Sequence, residues 1–86
     1  MAYKMLVNKE IFVSSVYFGV NNGHLKSFPK RIECEGQTYT FNDGLQMIVG
    51  KGNQLMRVFC MSDGKSNYRI LQDVNAGIWT LNSIRS

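Results

Sequence analysis

The stretch RIECEGQTYTF, from Arg31 to Phe41, decides the fold that we expect of this chain. Apolar and polar side chains alternate along it, as in a half-buried strand, because successive side chains of a strand point to opposite faces. The residues on the apolar face are Ile32, Cys34, Tyr39 and Phe41. The period of two therefore predicts two strand arms that turn one face toward a core.

Gly36-Gln37 lies between the two arms and predicts a two-residue hairpin turn of type II′, which needs a positive φ at its first central position. The predicted register pairs Cys34 with Tyr39 on the core side. Glu33 would lie opposite Thr40 on the solvent side. A slip of one residue would move every apolar side chain into water, so the pattern specifies the two faces well.

The length and composition of the chain bound its class. We expect the 86 residues to form one β domain, 1–86, because 44% apolar residues, 19% charged residues and a single proline are typical of a globular chain. A chain this short buries roughly 60% of its unfolded surface, so association would add to its stability. The net charge of +4 is compatible with an anionic partner and equally with an ordinary soluble protein.

The two cysteines, Cys34 and Cys60, predict reduced, buried thiols, because both lie in apolar strand patterns and no further Cys or His joins them as a metal ligand. We expect no cofactor and no metal. No apolar run reaches the roughly 18 residues of a membrane span. Lys9 and Glu10 interrupt the apolar stretch that a signal peptide would need, so we expect a cytoplasmic protein without membrane contact.

The N-terminal stretches Tyr3–Val7 and Glu10–Val20 are rich in Val, Ile, Phe and Tyr and predict two strands. Asn8-Lys9 predicts a turn or bulge between them, although one long bent strand fits as well. The second stretch is apolar on both faces, so we expect a central strand or one covered twice. Asn22-Gly23 then predicts a type I′ hairpin that returns the chain through His24–Phe28.

Two features interrupt the strand pattern in the middle of the chain. Pro29 cannot donate a ladder hydrogen bond, so we expect it to end a strand or to lie on an edge. The apolar residues of Leu45–Val49 have the i, i+3, i+4 spacing of one helical turn, with Asn42 or Asp43 as its N-cap. A short strand fits this segment nearly as well, and we favour the helical turn.

The segments Leu55–Ser62, Asn67–Leu71 and Ile78–Leu81 predict a meander of three strands. The residues on the predicted core face are Phe59, Met61, Tyr68, Ile70, Trp79 and Leu81. The residues on the other face are Met56, Val58, Cys60, Arg69, Leu71, Ile78 and Thr80. This second face is too apolar for free solvent, so we expect another part of the chain or a partner to cover it.

Asp63-Gly64 forms the first turn of this meander. A two-residue loop would pair Phe59 with Tyr68, and a four-residue loop would pair it with Ile70. We also expect Ile70 to lie opposite Trp79. Taken together, the strands predict an all-β fold: a small antiparallel barrel or sandwich of five to seven strands, with the one helical turn.

Residue patterns typical of catalysis are weak, and we expect a protein that is not an enzyme. His24 is the only histidine and follows a hairpin turn, while both cysteines face inward. Glu33 and Glu35 alternate onto one face about 7 Å apart, a spacing that suits a glycosidase pair, but no cleft is implied beside a tight turn. Gly50-Lys51-Gly52 lacks the rest of a phosphate-binding motif.

Basic residues cluster beside two of the hairpins. The candidate partner-binding residues are Lys26, Lys30, Arg31, Lys65 and Arg69. Small β barrels bind nucleic acid through exposed aromatic side chains ringed by Lys and Arg, and Tyr17, Phe28 and Tyr68 are candidates, although aromatic strand residues usually lie in the core. The leading hypothesis is a noncatalytic binding module whose basic rim contacts nucleic acid or an acidic protein.

The alternative hypothesis is a homo-oligomeric structural or interaction protein that an apolar sheet face holds together. The residues that could form this face are Val16, Tyr17 and Phe18, or Met56, Val58 and Cys60. Such an association would be insensitive to salt, and Val58→Asp would make the protein monomeric.

Several short motifs are spread between Phe28 and Leu81. They are Phe28-Pro29-Lys30-Arg31-Ile32-Glu33, Gly36 with Thr38-Tyr39-Thr40-Phe41, Asp43-Gly44-Leu45, Asp63-Gly64 with Tyr68-Arg69, and Trp79-Thr80-Leu81. In this order they resemble a set of small uncharacterised bacterial proteins with the pattern FPxRIE…TYTFxDGL…DG…YR…WTL. The resemblance implies a bacterial, cytoplasmic, single-domain protein. It carries no activity, so it assigns no functional residue.

Overall fold

The computed structural model describes residues 4–86, which form eight strands. The strands are β1 (Lys4–Glu10), β2 (Phe12–Asn21), β3 (His24–Cys34), β4 (Gln37–Thr40), β5 (Asp43–Lys51), β6 (Gln54–Ser62), β7 (Asn67–Asp73) and β8 (Ile78–Arg85). All strand pairs are antiparallel. The all-β prediction is confirmed, with more strands than the expected five to seven. Within this part of the chain no helix is long and apolar enough to span a bilayer.

The strands form two sheets that pack against each other as in a sandwich rather than closing into a barrel. One sheet has five strands in the order β1-β8-β7-β6-β5, and the other has three in the order β2-β3-β4. The buried apolar residues between the sheets are Ile11, Phe28, Ile32, Cys34, Phe41, Phe59, Met61, Tyr68, Ile70 and Leu81. Trp79 packs against this core and stacks on Phe59 with ring centroids 5.3 Å apart. The predicted core faces of the hairpin and the meander are confirmed.

Two segments pass directly from one sheet to the other. The chain leaves β1 through Ile11, whose N–H donates to the Trp79 carbonyl at 3.0 Å, and enters β2 at the next residue. Between β4 and β5, the Phe41 N–H donates into the three-stranded sheet, and the Asn42 N–H donates into the five-stranded sheet. Such corners carry the chain from one sheet of a sandwich to the other. The two N-terminal stretches are therefore two strands, as predicted, joined by the single residue Ile11 and placed in different sheets.

The bulge predicted at Asn8-Lys9 lies inside β1, where the register with β8 shifts between Leu6 and Lys9 and Asn8 has a φ of 50°. The expectation that the following strand is central or covered twice is wrong. β2 is an edge strand, and the five-stranded sheet covers only one of its faces. The apolar residues that β2 leaves exposed are Phe12, Val16, Phe18 and Val20.

Pro29 is buried inside β3, so the prediction of a strand end or an edge is wrong. It lies opposite Val16, where the register of β2 shifts next to Ser15. The pairing of β3 with β4 begins only at Arg31, which pairs with Thr40. The strand therefore tolerates a residue without an N–H because the ladder is already irregular on one side and β4 has not begun on the other.

The two central hairpins differ in how well the sequence predicted them. Asn22 and Gly23 both have positive φ, 54° and 78°, which confirms the type I′ turn. The next turn lies at Glu35-Gly36, with φ of 49° and 80°, so the predicted type II′ turn at Gly36-Gln37 is wrong. As a result Ile32 pairs with Tyr39 and Cys34 pairs with Gln37, a shift of two residues from the prediction. A shift of two keeps every side chain on its predicted face.

The segment predicted as a helical turn is the strand β5, which pairs with β6 without interruption from Asp43 to Lys51. Gly44 lies opposite Met61, and a Cβ at Gly44 would collide with the Met61 sulfur. This glycine therefore makes room for a core methionine and does not mark a turn. The helical prediction is wrong because β6 pairs with the whole segment. Its apolar residues stay exposed at the edge of the sheet, whereas the polar Gln46 is buried.

The meander β5-β6-β7-β8 follows the chain order. A four-residue loop joins β6 to β7 and pairs Phe59 with Ile70, which decides between the two expected loops. The expected pair of Ile70 with Trp79 is wrong. The turn between β7 and β8 pairs Asp73 with Ile78, which places Ile70 opposite Leu81, and the register shifts only beyond this pair, between Ile70 and Arg69.

Candidate partner-binding surface

The fold leaves the outer face of the five-stranded sheet uncovered. No described segment packs on it, because the three-stranded sheet lies on the other side. Its apolar side chains are exposed or half-buried and come from β5, β6, β7 and β8: Leu45, Met47, Val49, Met56, Val58, Leu71 and Ile78. We predicted that this face is too apolar for solvent and that a part of the chain or a partner covers it. Within residues 4–86, no segment covers it.

One end of this outer face is basic. Lys4 of β1 pairs with Arg85 of β8, and Arg69 of β7 lies one row further along the strands. All three line a depression of about 240 Å³, together with Cys60, Asn67, Tyr68 and Ser83. We call Lys4, Arg69 and Arg85 the basic cluster. No acidic residue lines the depression, so the basic cluster gives this end of the sheet a local positive charge.

None of the three cations in the basic cluster forms an ion pair with a described residue. Lys65 extends the positive surface, because it is exposed in the loop that joins β6 to β7 at the same end of the sheet. The Lys9–Glu35 pair lies elsewhere, spans 4.0 Å between exposed side chains, and would contribute little. The basic cluster is therefore available to an anionic group from outside the chain.

The structure divides the five predicted binding residues among different surfaces. Arg69 belongs to the basic cluster and Lys65 lies beside it. Arg31 is exposed on the outer face of the three-stranded sheet, on the opposite side of the sandwich. Lys26 is half-buried and lies opposite Gly19 of β2. The Lys30 ammonium donates to the Phe41 carbonyl at 2.7 Å and lies 5.8 Å from the centroid of the Tyr17 ring.

Lys4 and Arg85 are the members of the cluster that sequence reasoning missed. They come from opposite ends of the chain and meet only because β1 pairs with β8. The alternation within β8 could have signalled that Arg85 shares a face with Ser83, since the two are separated by one residue. No local sequence pattern predicts that Lys4 or Arg85 lies near Arg69.

The aromatic residues proposed as stacking platforms face the core. Phe28 and Tyr68 are buried, and Tyr17 stacks on Phe28 with centroids 5.2 Å apart. Burial also raises the pKa of Tyr17. Phe28 and Tyr68 therefore cannot stack on a nucleic-acid base, and the basic cluster has no aromatic platform from these three residues.

The thiol and carboxylate candidates are also dispersed. Cys34 is buried, and burial raises the pKa of its thiol. Cys60 is only half-buried on the outer sheet face, so the expectation of a buried thiol holds for Cys34 alone; both cysteines are free, as expected. Glu33 and Glu35 are exposed, with Glu33 on a strand and Glu35 in the turn, so they do not form a pair on one strand face. His24 is exposed at the start of β3.

Arg57 is a half-buried cation with a structural role. Its guanidinium donates to the Ser27 carbonyl at 3.2 Å, to Gln46 Oε1 at 2.9 Å and to Gln72 Oε1 at 3.1 Å. It also lies 5.0 Å from the centroid of the Phe59 ring. Burial lowers its pKa. Because Ser27 belongs to the three-stranded sheet, Arg57 ties the two sheets together and is not available to a partner.

Comparison with protein-family models, with curated proteins and with solved structures gives no match for this chain. The resemblance to the small bacterial proteins stays a prediction.

Proposed function

We propose that this protein is a noncatalytic binding module of the bacterial cytoplasm, and that an acidic protein contacts the outer face of its five-stranded sheet. The observation that carries the proposal is the convergence of Lys4, Arg69 and Arg85 on one depression that no acidic residue lines. Arginine side chains bind carboxylates through two parallel hydrogen bonds, so two arginines beside one depression suit a partner rich in Asp and Glu.

The surroundings of the basic cluster favour a protein over a nucleic acid. Leu45, Val58 and Leu71 lie on the same sheet face and are exposed or half-buried. Protein interfaces combine an apolar centre with a charged rim, which is the arrangement on this face. Single-stranded nucleic acid would need exposed aromatic side chains beside the cations. Tyr68 borders the depression but is buried, and Tyr17 and Phe28 stack on each other away from it.

The proposal can be tested by NMR titration of the ¹⁵N-labelled protein with a poly-glutamate peptide, and separately with a mixed-sequence oligonucleotide. We expect poly-glutamate to shift the amide signals of Asn67–Arg69 and Ser83–Arg85 at low salt. The shifts should weaken at physiological salt, because ions screen exposed charges over about 8 Å. If the oligonucleotide binds more strongly than poly-glutamate at these residues, the partner is a nucleic acid and not an acidic protein.

Arg69→Glu and Arg31→Glu form a matched pair for this titration, since both residues are exposed arginines on outer sheet faces. Arg69→Glu should weaken poly-glutamate binding about tenfold, equivalent to about 1.4 kcal/mol. Arg31→Glu makes the same change in net charge and should leave most of the affinity. Equal losses in the two variants would show that only net charge matters and would refute a specific site at the basic cluster.

A further inference from the structure

The four edge strands of the two sheets differ in how well they are protected against pairing with another chain. Native proteins protect an edge with charged residues, with bulges or by keeping the strand short. β1 carries Lys4, Lys9 and Glu10 and contains a bulge. β2 has register shifts on both sides of Ser15, and β4 has only four residues. β5 has none of these protections between its ends.

β5 is also a long and regular edge with exposed apolar residues. It pairs with β6 over nine residues without a register shift, and no described strand pairs with its other side. Leu45 is 66% exposed and Met47 is 57% exposed on the outer face. Ile48, whose side chain points to the opposite side, is 59% exposed. Exposed apolar residues on both sides of a free edge are the features of a strand that pairs with another strand.

The sequence of β5, DGLQMIVGK, is self-complementary in the antiparallel direction. If a second copy pairs with it about a two-fold axis at Met47, then Leu45 of each copy lies opposite Val49 of the other. The same register pairs Asp43 with Lys51, so residues of opposite charge meet at both ends. No pair in this register brings like charges together.

We infer that two copies of this chain associate through their β5 strands, which join two five-stranded sheets into one continuous antiparallel sheet. The second copy is the partner that this edge fits, because the two-fold register matches both the apolar residues and the terminal charges of β5. A two-fold contact of this kind is closed, so it produces a dimer and not a filament. The inference does not rest on the proposed function, since it depends on the outer backbone edge of β5, whereas the basic cluster lies on β1, β7 and β8.

The test is the oligomeric state of charge variants at Met47, measured by sedimentation velocity over a range of protein concentrations. The wild-type protein should sediment as a dimer at high concentration. Met47→Lys should be monomeric, because the register brings two positive charges together at the axis, and Met47→Glu should be monomeric for the corresponding reason. An equimolar mixture of the two variants should recover the dimer. Position 47 is exposed, so both variants should fold.

Phe18→Lys is the matched control, because it places the same charge on the exposed face of the other apolar edge strand, β2. It should leave the dimer intact. Three results would overturn the inference: a monomeric wild-type protein at all concentrations, a Met47→Lys protein that stays dimeric, or a Phe18→Lys protein that dissociates. A mixture of Met47→Lys and Met47→Glu that stays monomeric would exclude the two-fold axis at Met47. Poly-glutamate titration of the Met47→Lys monomer, with and without Arg69→Glu, would show separately whether the basic cluster binds.

Discussion

Asp63 connects a loop of the meander to the core. One carboxylate oxygen accepts hydrogen bonds from the backbone N–H groups of Ser66 at 2.8 Å and Lys65 at 2.9 Å. The other oxygen accepts the hydroxyl proton of the buried Tyr68 at 2.8 Å. The backbone hydrogen bonds, chiefly those from Ser66 and Lys65, hold the pKa of Asp63 below its ordinary value. Burial, together with the hydrogen bond and the negative charge of Asp63, raises the pKa of Tyr68 to about 12.

This raised pKa predicts a loss of stability in alkali. Between pH 10, near the pKa of an unfolded tyrosine, and about pH 12, the unfolded chain loses the phenol proton while the folded chain keeps it. The free energy of unfolding should therefore fall as the pH rises through this window, by at most about 1.4 kcal/mol per pH unit from this residue. Urea unfolding at a series of pH values measures the slope. In the Tyr68→Phe protein, the free energy of unfolding should fall less steeply with pH over the same window. An unchanged slope would show that Tyr68 is not the residue responsible.

At the scale of the element, the turn between β3 and β4 contains a residue with an unfavourable backbone conformation. Glu35 has a φ of 49°, in the left-handed region that costs most non-glycine residues roughly 1–2 kcal/mol. The equivalent position of the turn between β2 and β3 is Asn22, which tolerates this region better. The same backbone shape is thus built with a well-suited residue in one hairpin and a poorly suited residue in the other.

We therefore expect Glu35→Asn to stabilise the protein by about 0.5–1 kcal/mol, part of the cost of a left-handed residue. The loss of the exposed Lys9–Glu35 pair should offset little of this gain. The reverse change, Asn22→Glu, should destabilise by a similar amount and serves as the matched control. Thermal unfolding measures both. A destabilised Glu35→Asn protein would mean that Glu35 stabilises the fold by an interaction other than its turn geometry.

Within single elements, the sequence predicts which face of a strand is buried better than it predicts where a turn lies. The alternation in Arg31–Phe41 predicted the two faces correctly, because the faces depend only on a local period of two. The position of the turn could not be read in the same way, since Gly36 suits the second position of a type I′ turn as well as the first position of a type II′ turn. The helical prediction for Leu45–Val49 is wrong because exposed apolar residues lie on both sides of this edge strand and the buried residue is the polar Gln46, so the segment has no clear period of two.

At the scale of the whole molecule, Arg57 joins the two sheets through its hydrogen bond to the Ser27 carbonyl. Arg57→Met keeps much of the apolar stem and removes the guanidinium. We expect it to lower the free energy of unfolding by about 1.5–3 kcal/mol, as for hydrogen bonds made by a charged group. Arg69→Met, on the outer face, should change stability by no more than about 0.5 kcal/mol. Chemical denaturation compares the two, and equal effects would mean that Arg57 does not tie the sheets together.

The sequence by itself determined the all-β class, the core faces and the Asn22-Gly23 hairpin, because each depends on side-chain alternation or on turn chemistry within a few residues. The tertiary structure alone decided which strands pair across the chain and therefore which cations meet. It brings Lys4 and Arg85 to Arg69, directs the ammonium of Lys30 to a backbone carbonyl, and leaves Arg31 on the opposite side of the sandwich. The physical reason is that burial of the whole core determines which distant segments pair as strands. A local pattern of charged residues does not predict that pairing.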